Sequence, residues 1–171
     1  LHGYVRLTLT ALARCPAATV PAAGSFRSLC IHGRGSLATS QFIGQLLDAT
    51  KVHLSDGRSL DAEPRLALME GMARLIGSMP RTQGRVREVT PLLAALVAAP
   101  CEELAALLRI SAGGASADAA AVCVELVRAA FKFTDTFEPN ADHPTLGALQ
   151  ASWPLLIETG RRFASVKVAS A

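Results

Sequence analysis

A chain of 171 residues that is 50% hydrophobic and only 18% charged is too apolar for a disordered segment and fits helices buried on more than one side. A formal net charge of +3 is weak, the arginines are scattered, and aromatics make up 5% of the residues; direct nucleic-acid binding therefore stands well behind protein binding. The four cysteines, Cys15, Cys30, Cys101 and Cys123, form no CxxC pair and have no His at zinc-ligand spacing, so they read as free, buried thiols of a reducing compartment, with no metal site and no disulfide framework.

The first predicted helix covers residues 1–14, with Tyr4, Leu7, Ala11 and Leu12 as inner positions and Pro16 as its stop. Pro21 opens a second helix through Phe26, Leu29 and Cys30, which Gly33 and Gly35 end. Ser40 is placed to cap a third helix carrying Phe42, Ile43, Leu46 and Leu47. Asp61 and Pro64 precede the clearest stripe of all, Leu68, Met72, Leu75, Ile76 and Met79, whose spacing lines one helical face before Pro80 ends it. The next stripe uses Val86, Val89, Leu93, Leu96, Val97, Leu104, Leu107 and Leu108, with a bend expected at Pro91 or Pro100. Residues 111–116 read as a small-residue linker, and Asp118 begins a helix carrying Cys123, Leu126, Val127, Ala130 and Phe131. Asp142 or His143, followed by Pro144, starts a helix with Leu146, Leu149, Trp153, Leu156 and Ile157 as its apolar stripe, interrupted late by Pro154. From Arg161 a further helix is expected to begin.

Paired helices in series predict an all-α fold, an α-solenoid of HEAT- or armadillo-like antiparallel hairpins spanning 1–35, 40–80, 84–134 and 143–171, the last incomplete. The spacing is irregular but near the ~40 to 47 residues of such units. A chain that opens at Leu1 directly on a helical pattern and stops at Ala171 as another starts reads as one slice of a longer continuous array. The longest low-charge stretch, residues 89–101, falls short of the roughly 20 apolar residues of a bilayer crossing, so no membrane insertion is expected. No secretory signal lies within the slice.

Little in the chain points to catalysis. Gly113 and Gly114 lack the Lys-Ser/Thr of a phosphate loop and read as an interhelical turn, while Gly33, Arg34 and Gly35 read as a helix stop. His32 and His53 fall near helix ends, His143 suits a cap, and His2 carries no signal. Glu102 and Glu103 are adjacent and so point different ways on a helix. No enzyme, cofactor or metal ligand set is expected. Phe131, Phe133, Phe137 and Trp153 read as core between stacked hairpins, Trp153 largely buried, with a pocket for a partner's apolar anchor as the alternative. Arg161, Arg162 and Lys167 cluster where a helix is expected to begin; the plain reading is a solvated face and the sharper one an anchor for acidic or phosphorylated cargo.

The runs SFRSLCIHGRGSLA, QFIGQLLDAT, LALMEGMARLIGSMP and DHPTLGALQASWPLLIETG, in that order, resemble the middle of the importin-β superfamily of nuclear transport receptors, of the transportin-3 and importin-13 type. The resemblance covers residues 1–160, is strongest at His143, Pro144, Trp153, Pro154 and Leu156, and weakens at residues 112–120. It implies a karyopherin segment that binds protein cargo, touches nucleoporin repeats on its outer surface, and answers to Ran-GTP through N-terminal repeats that this chain does not include. It also implies shuttling between nucleus and cytoplasm, with serine/arginine-rich splicing factors as cargo near Arg161, Arg162 and Lys167. A helical-repeat scaffold or adaptor unrelated to transport is the alternative.

Overall fold

The computed structural model describes residues 2–55, 60–79, 85–110, 114–134 and 143–168. Among them stand eight helices and no strand. In chain order they are α1 (His2–Arg14), α2 (Thr19–His32), the single turn α3 (Arg34–Leu37), α4 (Ser40–Ser55), α5 (Ala62–Gly77), α6 (Arg85–Leu107), α7 (Gly114–Thr134) and α8 (Pro144–Val168), with a 3-10 turn, Pro16–Ala18, between α1 and α2. Pro80 and Phe137 lie outside the described residues.

Local chemistry accounts for most helix ends. Pro21 falls in the first turn of α2, where a missing N–H costs nothing, and the Gly33 N–H closes that helix on Leu29 O at 2.8 Å. Gly35 ends nothing, since it sits inside α3. Thr39, and not Ser40, caps α4: its Oγ1 accepts the Phe42 N–H at 3.3 Å, and Ser40 is the first helical residue. At the start of α8 the Phe42 arrangement is repeated with a ring nitrogen, the Thr145 N–H lying 3.3 Å from His143 Nδ1.

Of the three interior prolines, two sit as expected inside one long helix, and Pro154 departs from the expected early end. Pro91 and Pro100 lie inside α6, and Pro154 lies inside α8, which runs unbroken past Arg161 to Val168. No new helix begins at Arg161. An interior proline costs ~3 kcal/mol of helix, and packing beyond it, by Leu104 in α6 and by Thr159 and Phe163 in α8, offsets that loss. Likewise α7 starts at Gly114, four residues before the Asp118 that its polar run marked as a start.

The helices form two layers. In one, α2 packs on α5 and α5 on α7; in the other, α4 packs on α6 and α6 on α8. Between layers α1 lies on α2, α4 on α5, and α6 and α8 on α7. With the single turn α3 set aside, helices of a layer thus meet the helix two further along, a repeat-like pattern. α6 and α8 run the same way, because Gly147 faces Thr90 near their starts and Arg162 reaches Leu108 near the end of α6.

The core follows the predicted stripes through the middle of the chain. Leu68, Met72, Leu75 and Ile76 are fully buried, as are Val89, Leu93 and Leu104. Each such side chain contributes about 1.5–3 kcal/mol by leaving water. α5 is the central element, flanked by α2 and α7 in its own layer and by α4 and α6 in the other, and buried along almost its whole length.

At the two ends the stripes are covered only in part: Leu12 is buried as expected and Leu149 and Leu156 are half-buried, but other stripe residues face out. Tyr4 and Leu7 are 67% and 64% exposed, and α1 buries only Val5 and Leu12. Trp153 is 55% exposed beside exposed Leu146 and Ile157. What α8 buries is Ala148, Ser152, Thr159 and Phe163. Both corrections have one cause: α1 rests mainly on α2, and α8 on α6 and α7, so each is covered on one side only, and small residues let α8 approach α6 closely.

Candidate functional site

The layer of α2, α5 and α7 leaves a groove of about 530 Å³ running across all three helices. Its floor is apolar, from Val20, Leu66, Ala67 and Ala129. Its rims carry Arg27 from α2, Glu63 and Glu70 from α5, and Glu125, Arg128 and Lys132 from α7. Glu70 joins two helices, taking Arg27 Nη1 at 3.3 Å and Arg74 Nε at 2.9 Å on its two oxygens. Arg128 and Glu125 pair along α7 at 2.6 Å. Exposed pairs of this kind are worth ~0–1 kcal/mol, so an incoming chain can exchange its own charges for them at little cost. No Ser, Thr, Cys or His stands among its described lining residues.

Beneath the groove lies a buried polar cluster. Arg65, flanked by the groove residues Pro64 and Leu66, points inward with 3% of its side chain exposed. Its Nη2 donates to Leu54 O at 2.8 Å and to the Glu103 carboxylate, while its Nε has no partner. The Cys123 thiol of α7 adjoins the pair. Burial pushes that thiol up to about 12, Glu103 adding to the rise and Arg65 opposing it. Burial does the same to Cys30, also to about 12. Both stay protonated and unreactive. Cys15 is exposed, Cys101 is half-buried, and all four thiols are free.

The sequence-predicted anchor does not come together as a patch. Arg161 is exposed, whereas the Arg162 guanidinium donates to Leu108 O and, at 2.5 Å, to Ile110 O, just past the last turn of α6. There a cation meets the negative end of the helix dipole. Adjacent positions on a helix stand about 100° apart, so the two arginines serve different surroundings. The side chain of Lys167 lies outside the described residues. His53, in the last turn of α4, has its pKa lowered by burial.

Arg65 was missed by sequence reasoning, though a signal existed. It precedes Leu68 by three and Met69 by four, which places a charge on the buried face of the strongest apolar stripe. The groove had no such signal, because its lining is spread over three helices.

Leu149, Gln150, Trp153 and Pro154 line a shallow hollow of about 340 Å³ on the outer face of α8. Ala94, Ala98, Cys101, Ala148, Ala151 and Ser152 surround a cavity of about 150 Å³ in the seam between α6 and α8. In length and composition alone Arg87–Leu107 is apolar enough to cross a bilayer, longer than the stretch weighed from sequence, because the helix continues through Glu102 and Glu103. Here that helix packs on α4, α5, α7 and α8. Among the described residues no group of three or more His, Cys, Asp or Glu is arranged to hold a metal ion.

No family model, no curated protein and no solved structure matches the chain.

Proposed function

We propose that this chain is a protein-binding segment of an α-solenoid, built of HEAT- or armadillo-like hairpins, and that its partner lies along the groove of α2, α5 and α7. One observation carries the reading: with the single turn α3 set aside, helices of each layer pack on the helix two further along, so three consecutive helices of one layer line one groove. A floor without charge and rims with three cations and three anions suit an extended or helical polypeptide with apolar anchors and charges of both signs. A nuclear import receptor of the importin-β type is the identity proposed on the serial resemblance of residues 1–160, with Ran-GTP and nucleoporin repeats engaged elsewhere along the parent solenoid. Within the predicted anchor Arg161 is exposed, which supports it as the residue a phosphorylated cargo would meet.

The test is titration of the full-length parent with phosphorylated and unphosphorylated serine/arginine-rich peptides, followed by addition of Ran-GTP. Phosphate-dependent binding that Ran-GTP reverses supports the import receptor. Binding that ignores Ran-GTP but is lost on Leu66→Glu in the groove leaves the scaffold reading in its place.

A further inference from the structure

We propose that Arg65 and Arg162 are two links in one chain of clamps that sets the step between α4, α6 and α8, and with it the width of the groove on the opposite layer.

The placement of the two arginines is the first reason. Arg65 holds Leu54 O in the last turn of α4 and Glu103 near the end of α6. Arg162, from α8, holds the carbonyls of Leu108 and Ile110 just beyond that same end of α6. The C-terminal ends of α4 and α6 are therefore tied to each other, and the end of α6 is tied to α8. A guanidinium is a rigid planar fork, so two bonds from one group fix direction as well as distance.

The second reason is what surrounds them. Apart from Arg65, the described buried polar side chains are Thr50, Thr134, Ser152 and Thr159. Each returns its hydroxyl to a carbonyl of its own helix, at 2.8, 2.7, 3.0 and 2.8 Å, and so fixes no neighbour. The seam between α6 and α8 holds a cavity lined by four alanines with Val97, Cys101, Ser152 and Leu155, so fewer packed atoms resist a shift there. Among these described buried polar side chains, only Arg65 bonds to another helix, and Arg162 adds a second such tie.

A buried ion pair is a poor source of net stability, because removing two charges from water costs about as much as their attraction returns. Arg65 even leaves its Nε without a partner. Geometry is what such a pair contributes. The route to the groove is short: Pro64 and Leu66 beside Arg65 line one wall, and Cys123, which touches the pair, lies two residues before Glu125 on the other. A shift of the clamp moves both walls. Nothing in this depends on what occupies the groove.

Distances between spin labels test it, on the 171-residue chain with Cys15 and Cys101 replaced by serine. One label pair, at Gln45 of α4 and Gln150 of α8, reads the step; the other, at Ser28 of α2 and Lys132 of α7, reads the groove. All four positions are exposed. The paired substitution Arg65→Met with Glu103→Leu removes both charges together. It should melt within a few degrees of the parent while broadening both distance distributions. Arg162→Gln should broaden the first pair, and Arg162→Lys, a single point donor, should restore it only in part. Were the arginines simple stabilisers, melting temperature would fall while both distributions kept their width, and that result overturns the proposal. Should the double variant fail to fold, Arg162→Gln decides alone: an unchanged Gln45 to Gln150 distance rejects the clamp.

Discussion

The ring of Phe26 lies against Gly71 where α2 packs on α5, so close that a β-carbon at position 71 would stand 3.2 Å from Phe26 Cε1 and 3.2 Å from Arg27 Cα. Glycine here is the condition for the two helices to meet at this separation. Alanine would gain ~1 kcal/mol of helix propensity, but the backbone of Arg27 cannot yield as a side chain can. Gly71→Ala should therefore destabilise by ~1–3 kcal/mol. At Gly44 in α4 no atom lies within 4 Å of an added β-carbon, and Gly44→Ala should stabilise by ~0.5–1 kcal/mol. Urea unfolding of the two variants measures both signs, and equal effects would contradict the close approach.

Arg65→Met alone leaves the Glu103 carboxylate, whose side chain is 16% exposed, without its cation. The loss should be about 3 kcal/mol or more, and adding Glu103→Leu should recover most of it. Denaturant midpoints of the single and double variants give the answer. A single variant within ~0.5 kcal/mol of the parent would mean that water reaches Glu103 easily.

Stability should decline in alkali. The thiols of Cys30 and Cys123 have an ordinary pKa of 9.0 and are raised to about 12 by folding, chiefly by burial. The folded chain thus keeps protons that the unfolded chain releases. This contribution is fully present below pH 9 and is lost as the pH climbs toward 12, by up to ~1.4 kcal/mol per unit for each thiol. Melting temperatures from pH 8 to 11 should fall less steeply in Cys30→Ala than in the parent. Identical slopes would place the Cys30 thiolate in contact with water.

Trp153 is the single tryptophan of the chain and is 55% exposed. Its fluorescence should peak near the position of an indole in water, and Trp153→Ala should change stability by under ~1 kcal/mol. A blue-shifted peak at micromolar concentration that moves red on dilution would show a second copy covering α8. A loss of ~3 to 5 kcal/mol would return the residue to the core.

How far the fold could be read from sequence depends on neighbours. The stripe from Leu68 to Met79 was legible because α5 has helices on several sides, α2 and α7 in its own layer and α4 and α6 in the other, so every apolar residue on that face finds cover. The stripes of α1 and α8 were equally legible as helix but misleading as to direction, since hydrophobicity states which face benefits from burial and says nothing of whether another helix is there to bury it. Pro154 read as a break because local rules count the lost N–H, whereas the packing of Phe163 nine residues later belongs to the tertiary fold. Arg65 stood in plain view as a charge on an apolar face. Its partner Glu103 lies 38 residues away and could be named only once α5 and α6 were placed side by side. Arg162 shows the opposite case, a conspicuous basic residue whose bonds go to two carbonyls that no side-chain pattern announces.

The self-contained hydroxyls of Thr50, Thr134, Ser152 and Thr159 carry a consequence for how this sequence can drift. A buried hydroxyl bonded to its own helix has no correspondent across the interface, so its replacement by alanine or valine of fitting size orphans no distant group. Such positions can change one at a time. Arg65 and Glu103 cannot, because either substitution alone strands the other. Inheritance at most of the interface is therefore a matter of single steps, and at the arginine it requires two at once.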